Sequence, residues 1–207
     1  MLILAGLGNP EPKYAGNRHN IGFMAIDAIA RRWSFGPERK RFQSLAREGT
    51  IPTPGGDVRA LLLKPQTFYN ESGRAVGEAV KFLKVDPATN VVLFYDEIDL
   101  APGRFRMKAG GGAAGNNGVR SLISHIGPHF RRARLGTGHP GHKDRVMGHV
   151  LSDFHKVEHG WVEAMLTACA DALPILAAGD DEKYQMEVMR LAPAEKLDPR
   201  AATRGEV

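Results

Sequence analysis

Met1-Leu-Ile-Leu-Ala-Gly-Leu-Gly-Asn-Pro10, followed by Asn20-Ile-Gly-Phe-Met-Ala-Ile-Asp-Ala-Ile-Ala-Arg-Arg-Trp33, decides how this chain is read. The first segment is a short apolar run ended by Gly-Leu-Gly-Asn-Pro, the pattern of a buried strand that delivers the chain into a tight turn. In the second the period changes. Ile21, Met24, Ala25, Ala28 and Ile29 recur at helical spacing, Asn20 stands where a cap is needed, and Arg31 and Arg32 suit the negative end of the helix dipole. Strand, turn and helix in that order open an α/β layer.

Working outward, residues 44–50 and 58–64 flank a Pro- and Gly-rich turn from Pro52 to Asp57, and Val58, Ala60 and Leu62 alternate with Arg59, Leu61 and Leu63 as in a hairpin. Helical spacing returns from Glu71 to Leu83. Val91 to Tyr95 is a nearly continuous β-branched and aromatic run, which predicts a central strand covered on both faces and ending at Asp96. A short strand over Arg104–Lys108, a glycine run at 110–112, a helix over Gly118–Ile126 and an extended segment over Arg132–Thr137 follow. Val157, Trp161, Ala164, Met165, Ala168 and Ala172 predict a long amphipathic helix reaching the Pro174 region. The fold class is therefore α/β: a single-domain layered fold over residues 1–191, with a twisted, mostly parallel mixed sheet flanked by helices. Residues 192–207, rich in Pro, Ala and charge, are expected to form a flexible tail.

Composition narrows the function classes. A chain of 207 residues suits one domain, and 43% hydrophobic with 25% charged residues is globular rather than disordered. No segment approaches the roughly 20 apolar residues of a membrane span, and the N-terminal run lacks the basic lead and cleavage site of a signal peptide. The lone Cys169 excludes an intrachain disulfide and a multi-thiolate metal site; a small core residue in a reducing compartment, the cytoplasm, is the expectation. A net charge of +5 draws the molecule to polyanions, and the charge is clustered at Arg104, Arg106 and Lys108, at Arg131, Arg132 and Arg134, and at Lys143 and Arg145.

Polar residues stand where strands give way to loops, the edge on which layered α/β folds bind ligands. Asn9 follows the first strand, His19 precedes the first helix, Asn70 follows the hairpin, Asp96 ends the central strand and Asn117 follows the glycine run. His19 lies in Gly16-Asn-Arg-His-Asn20, which has no apolar periodicity and so does not read as core. An imidazole takes a proton near neutral pH when a partner fixes its tautomer, and Asp96 is the natural partner. Asn9, Asn70 and Asn117 would offer neutral amides to carbonyls and to a developing oxyanion, a set suited to attack of water on an ester or amide. The same residues have plainer uses: Asn70 and Asn117 as helix caps, Asn9 before Pro10 as a turn residue, and Asp96 as a solvated loop carboxylate.

Other motifs fail on inspection. Gly6-Leu-Gly8 lacks the third glycine of a dinucleotide loop, because Glu11 occupies its place. No Gly-Lys-Ser or Gly-Lys-Thr follows the 110–112 run, and no Gly-x-Ser-x-Gly is present, so neither a phosphate-gripping loop nor a serine nucleophile is supported. His155-Lys-Val-Glu158-His159 matches a zinc-peptidase pattern, but no third ligand is evident and Gly160 follows at once. His125 and His129 are separated by Gly127 and Pro128, which interrupt the helix between them. The expectation is no metal and no cofactor.

Taken together, Gly6-Leu-Gly-Asn-Pro10, Asn17-Arg-His-Asn20, Lys64-Pro-Gln-Thr-Phe-Tyr-Asn-Glu-Ser-Gly73, Asp96-Glu-Ile-Asp-Leu100, Gly110-Gly-Gly and Gly136-Thr-Gly-His-Pro140 closely resemble the bacterial peptidyl-tRNA hydrolases, in order and spacing, over residues 1 to 190. The resemblance implies a monomeric, cofactor-free enzyme that releases peptide from tRNA. It assigns His19 as general base and Asp96 as its orienting partner. Asn9, Asn70 and Asn117 become groups that bind the peptide main chain, with Tyr14 and Tyr69 in the same wall, and Lys108 and Arg134 a clamp for the tRNA terminal phosphate. Two positions depart from the family pattern: Asn116 stands where a histidine is usual, and Tyr69 where methionine is more common. Gly138 to Phe154, rich in Gly and His, has the composition of a mobile lid. Two alternatives stand beside this reading: a non-catalytic RNA-binding module carried by the charge clusters, and a zinc peptidase built on His155, Glu158 and His159.

Overall fold

A computed structural model describes residues 1–194. Seven strands, β1 (Leu2–Gly6), β2 (Arg39–Arg41), β3 (Ser44–Ile51), β4 (Val58–Pro65), β5 (Val91–Glu97), β6 (Phe105–Ala109) and β7 (Arg131–Gly136), form one sheet in the order β2-β3-β4-β1-β5-β7-β6. The central four, β4, β1, β5 and β7, are mutually parallel. Only β3 and β6 run against them, through antiparallel pairing with β4 and β7. The helices are α1 (Ile21–Arg32), α2 (Ser72–Leu83), α3 (Pro87–Asn90), α4 (Asn117–Ile126), α5 (Val146–Val150), α6 (His159–Asp171), α7 (Leu173–Ala177) and α8 (Asp181–Leu191).

The side-chain period of two divides the central strands between two cores. Leu2 and Leu4 of β1, Ala60 and Leu62 of β4, and Val92 and Phe94 of β5 pack with α1, α6 and α8. Ile3 and Ala5, Leu61 and Leu63, and Val91, Leu93 and Tyr95 pack with α2 and α4 on the other face. Both faces are covered, so Ala60 to Leu63 are all buried rather than alternating with solvent as a surface hairpin would. Adjacent β1 and β5 lead their chains to opposite sides, which opens a crevice at their carboxyl ends. Asn9 and Asp96 stand at that crevice.

Elsewhere the structure differs from the sequence expectation. The long helix begins at His159, and Val157, expected on its packed face, is 90% exposed in the preceding 3-10 turn. Helix α8 has weak amphipathic patterning and was not expected. It shields the outer edge of β6, where the N–H of Met107 donates to Gln185 Oε1 at 2.8 Å. Of the cluster at Arg131, Arg132 and Arg134, the first two are not free basic surface. Arg131 is buried against Asp181 and the Leu176 carbonyl, and Arg132 is buried with its guanidinium on the Gly111, Gly112 and Pro128 carbonyls. Cys169 is buried in the core, as expected, and burial pushes its thiol up to about 12. Ala192 is also buried, and residues 195–207 of the expected tail lie outside the described residues.

Helix α1 sits unusually close to the sheet. A Cβ on Gly22 would lie 2.3 Å from the Phe94 carbonyl oxygen and 2.5 Å from the Leu7 nitrogen, so only glycine fits. Gly22→Ala is therefore expected to destabilise the fold by about 3 kcal/mol, the upper range for overpacking, because the obstacle is backbone. Gly160→Ala on α6, where a Cβ meets nothing within 4 Å, should be neutral or slightly stabilising. Equal melting temperatures for the two variants would contradict this packing.

Candidate active site

Asp96 continues the Val92, Phe94 face of β5, the face that carries α1, and His19 sits in the 3-10 turn Arg18–Asn20 directly before α1. His19 Nδ1 lies 2.9 Å from Asp96 Oδ1 and 2.8 Å from Oδ2. The carboxylate is only 2% exposed and the imidazole 18%, so the ring is the member of the pair that reaches solvent. A carboxylate only accepts, so Nδ1 carries a proton, and in the neutral ring Nε2 holds the lone pair. Tyr69, in the 3-10 turn Tyr69–Glu71 before α2, stacks on the imidazole at 3.6 Å with an interplanar angle of 14°. Its hydroxyl donates to Asp96 Oδ1 at 3.0 Å. Burial, reinforced by the Asp96 charge, holds the phenol well above the usual tyrosine range, so it remains an O–H donor.

The turn that bears His19 is held on both sides. Asn20, read from sequence as a cap, makes no side-chain capping bond; instead its amide clasps the Asn9 backbone, accepting from the N–H and donating to the carbonyl, each at 2.9 Å. Arg18 is buried, donates to Ser152 Oγ at 2.7 Å and to the Asp153 carbonyl at 2.8 Å, and pairs with Glu158. Asn17 donates to Asp153 Oδ1 at 2.6 Å. Glu158 of the zinc-like motif also accepts from the His155 N–H at 2.8 Å, and His159 Nε2 lies 3.2 Å from the Phe154 carbonyl. These three residues serve a turn and an anchor, and the zinc-peptidase reading finds no support.

The asparagines and Tyr14 fall around the same edge, whereas Lys108, level with Leu93, stands three residues down the sheet from the level of Asp96. Asn9 lines a groove of about 390 Å³ with Gln43, Gln66, Thr67 and Phe68. Asn70 is exposed next to Tyr69, and Tyr14 is half-buried in the turn Pro12–Tyr14. Asn117 is exposed at the first position of α4, where its Oδ1 accepts from Arg120 at 2.9 Å. The cap of α4 is Asn116 instead, which accepts from the Val119 N–H at 3.0 Å. Lys108 and Arg134 share one face of the β6–β7 pair, since Lys108 is opposite Arg132 and Arg134 opposite Arg106. Lys108 is exposed, whereas Arg134 is half-buried with Nη1 3.6 Å from Glu97.

Comparison with known proteins places this geometry. The peptidyl-tRNA hydrolase family model matches residues 3–196. The chain belongs to the peptidyl-tRNA hydrolase family. A peptidyl-tRNA hydrolase of Phenylobacterium zucineum is 73% identical over 206 residues, covering 100% of this chain and 98% of that one. One of Caulobacter vibrioides is 68% identical, with 100% of both chains covered. The crystal structure of peptidyl-tRNA hydrolase from Acinetobacter baumannii superimposes with a TM-score of 0.83 at 35% identity, over 91% of this chain and 94% of that one.

Within this peptidyl-tRNA hydrolase fold, sequence reasoning missed Arg18, Asn20 and Asn116 as members of the site. Arg18 and Asn20 flank His19, but their partners lie far off in the chain, which no local pattern reveals. Asn116 carried a visible signal, an asparagine just before a helical period. Arg18→Ala is expected to cost about 3 kcal/mol, because it leaves Glu158 without its buried counter-charge. Hydrogen exchange should then quicken over Ser152–Glu158; unchanged exchange there would show that Arg18 is not the tie.

Proposed function

We propose that this chain hydrolyses the ester between a peptide, or an N-blocked amino acid, and the ribose of tRNA, recycling tRNA from prematurely released peptidyl-tRNA. The observation that carries the mechanism is the paired His19 Nδ1 and buried Asp96 carboxylate. Asp96 holds the tautomer and stabilises the imidazolium that forms, while Nε2 takes a proton from water as that water attacks the ester carbonyl. A neutral base of this kind needs no metal and no cofactor. Amides of Asn9, Asn70 and Asn117 hold the peptide main chain and the developing oxyanion, with Tyr14 and the Tyr69 ring in the adjoining wall. The acyl C–O bond then breaks, the 3′-terminal ribose oxygen takes the proton from the imidazolium, and the peptide acid and the alcohol leave with His19 neutral again.

Lys108 and Arg134 take the terminal phosphate of tRNA. Their common strand face supports this, as do the exposed Arg104 and Arg106 beside them, which extend the charge. Among the described residues no helix is long and apolar enough to cross a membrane. The enzyme acts as a monomer in the cytoplasm, with peptidyl-tRNA as its partner. The segment 138–154 acts as a lid; its exposed stretch from His139 to Arg145 supports this. A non-catalytic RNA-binding module would leave the His19–Asp96 pair without a task.

Release of N-blocked amino acid from aminoacyl-tRNA tests the reading. His19→Ala should lower kcat by about 10² to 10⁴ with tRNA affinity retained, and chelators should have no effect. Near-full activity in that variant would remove His19 as the base. Lys108→Ala and Arg134→Ala should each weaken tRNA binding and reduce the salt slope by about 0.7 to 0.9, the value of one lost phosphate contact. Slopes identical to wild type would refute the clamp.

A further inference from the structure

The two positions that depart from the family pattern, Tyr69 and Asn116, touch each other. Asn116 Nδ2 donates to the Tyr69 hydroxyl oxygen at 3.0 Å. The direction of every bond in this chain of contacts follows from its far end. A backbone N–H can only donate, so the Val119 N–H, 3.0 Å from Asn116 Oδ1, turns the amide NH₂ toward Tyr69. The Tyr69 oxygen therefore accepts from Asn116, and its one proton goes to Asp96 Oδ1, 3.0 Å away. The same carboxylate receives His19 Nδ1–H. Helix α4 presses on the tyrosine as well, since a Cβ on Gly118 would stand 2.7 Å from Tyr69 Cε1.

We propose that Asn116 and Tyr69 form a positioning relay, in which the cap of α4 orients the Tyr69 hydroxyl, the hydroxyl sets the rotation of Asp96, and Asp96 with the stacked ring fixes the plane and tautomer of His19. The proposal rests on His19 acting as the base. Tyr69 thus acts chiefly on the enzyme's own carboxylate, not on substrate through its hydroxyl. In an acceptor-only carboxylate with two donors, each donor limits where the other can sit. Loss of the hydroxyl frees Asp96 to turn and lets the imidazole sample its other tautomer and orientation. The cost should appear in turnover, because substrate contacts remain, while the reacting nitrogen spends less time aimed at water.

The test combines kinetics on N-blocked aminoacyl-tRNA with ¹⁵N NMR of the His19 ring in the free enzyme. Tyr69→Phe keeps the ring and removes the proton. Asn116→Ser keeps a capping oxygen but cannot reach Tyr69. Tyr69→Phe is expected to lower kcat about tenfold with KM within twofold, and Asn116→Ser about threefold, the scale of one lost hydrogen bond. The double variant should match Tyr69→Phe alone, because both act along one path. The ring resonances should pass from a single Nδ1–H tautomer to a mixture in Tyr69→Phe. Unchanged kcat, a rise in KM alone, or losses that multiply in the double variant would each overturn the relay. If Tyr69→Phe fails to fold, Asn116→Ser decides by the same kinetic and NMR measures. A His19→Ala variant that stays active defeats the general-base reading instead, and the tautomer measurement, which needs no substrate, still judges the relay separately.

Discussion

A carboxylate at the end of a fully buried strand is the constraint around which this molecule is arranged. Asp96 is 3% exposed, and a charge so placed is tolerable only when donors come to it. Two come, from opposite faces of the sheet: His19 on the turn entering α1 and Tyr69 on the turn entering α2. Each donor is itself held by a second layer of contacts, and each layer begins at the start of a helix. Helix starts leave backbone N–H groups without partners inside the helix, and the sheet edge is where these starts gather. The site is therefore a by-product of how strands hand over to helices in this topology, with one buried charge drawing the pieces together.

Distance of closest approach is the second determinant. The bare Gly22 lets α1 lie on the Leu7 and Phe94 backbone, and the bare Gly118 lets α4 lie on the Tyr69 ring. These two contacts bring the loops at the sheet edge within hydrogen-bond reach of one another. Side chains larger than hydrogen at either place would hold the helices away, and the bonds at 2.8 to 3.0 Å would be stretched.

Much of this was legible in the sequence, and what was not has a physical cause. The fold class followed from periodicity in β1, α1 and β5, because segments covered on one or both faces leave a strong apolar signature. The site edge followed from polar residues at strand ends. Helix α8 escaped because only Tyr184 and Val188 of its residues are buried, too few to leave a clear period. Arg131 and Arg132 misled because a charge count does not tell a solvated guanidinium from Arg132, which spends its donors on the glycine-loop carbonyls. Asn20 looked like a cap because position alone cannot show that its amide turns back to clasp Asn9. The Asn116 and Tyr69 departures looked unrelated, and only the fold shows that they face each other.

The segment 138–154 also acquires meaning from where it is tied. At its start the Thr137 N–H donates to the Glu97 carbonyl at 3.2 Å and the Gly138 N–H to the Leu100 carbonyl at 3.0 Å, one and four residues beyond Asp96. At its end Ser152 and Asp153 are gripped by Arg18, immediately before His19. The Thr137 and Arg18 ties thus fall one residue from Asp96 and one residue from His19, and between them lies a stretch whose middle is open to solvent. That stretch therefore joins backbone next to His19 to backbone next to Asp96. The His155–His159 motif fits the same logic, because Glu158 closes the grip on Arg18 from the far side. What resembles a metal-binding pattern in the sequence is a brace on the turn that bears His19.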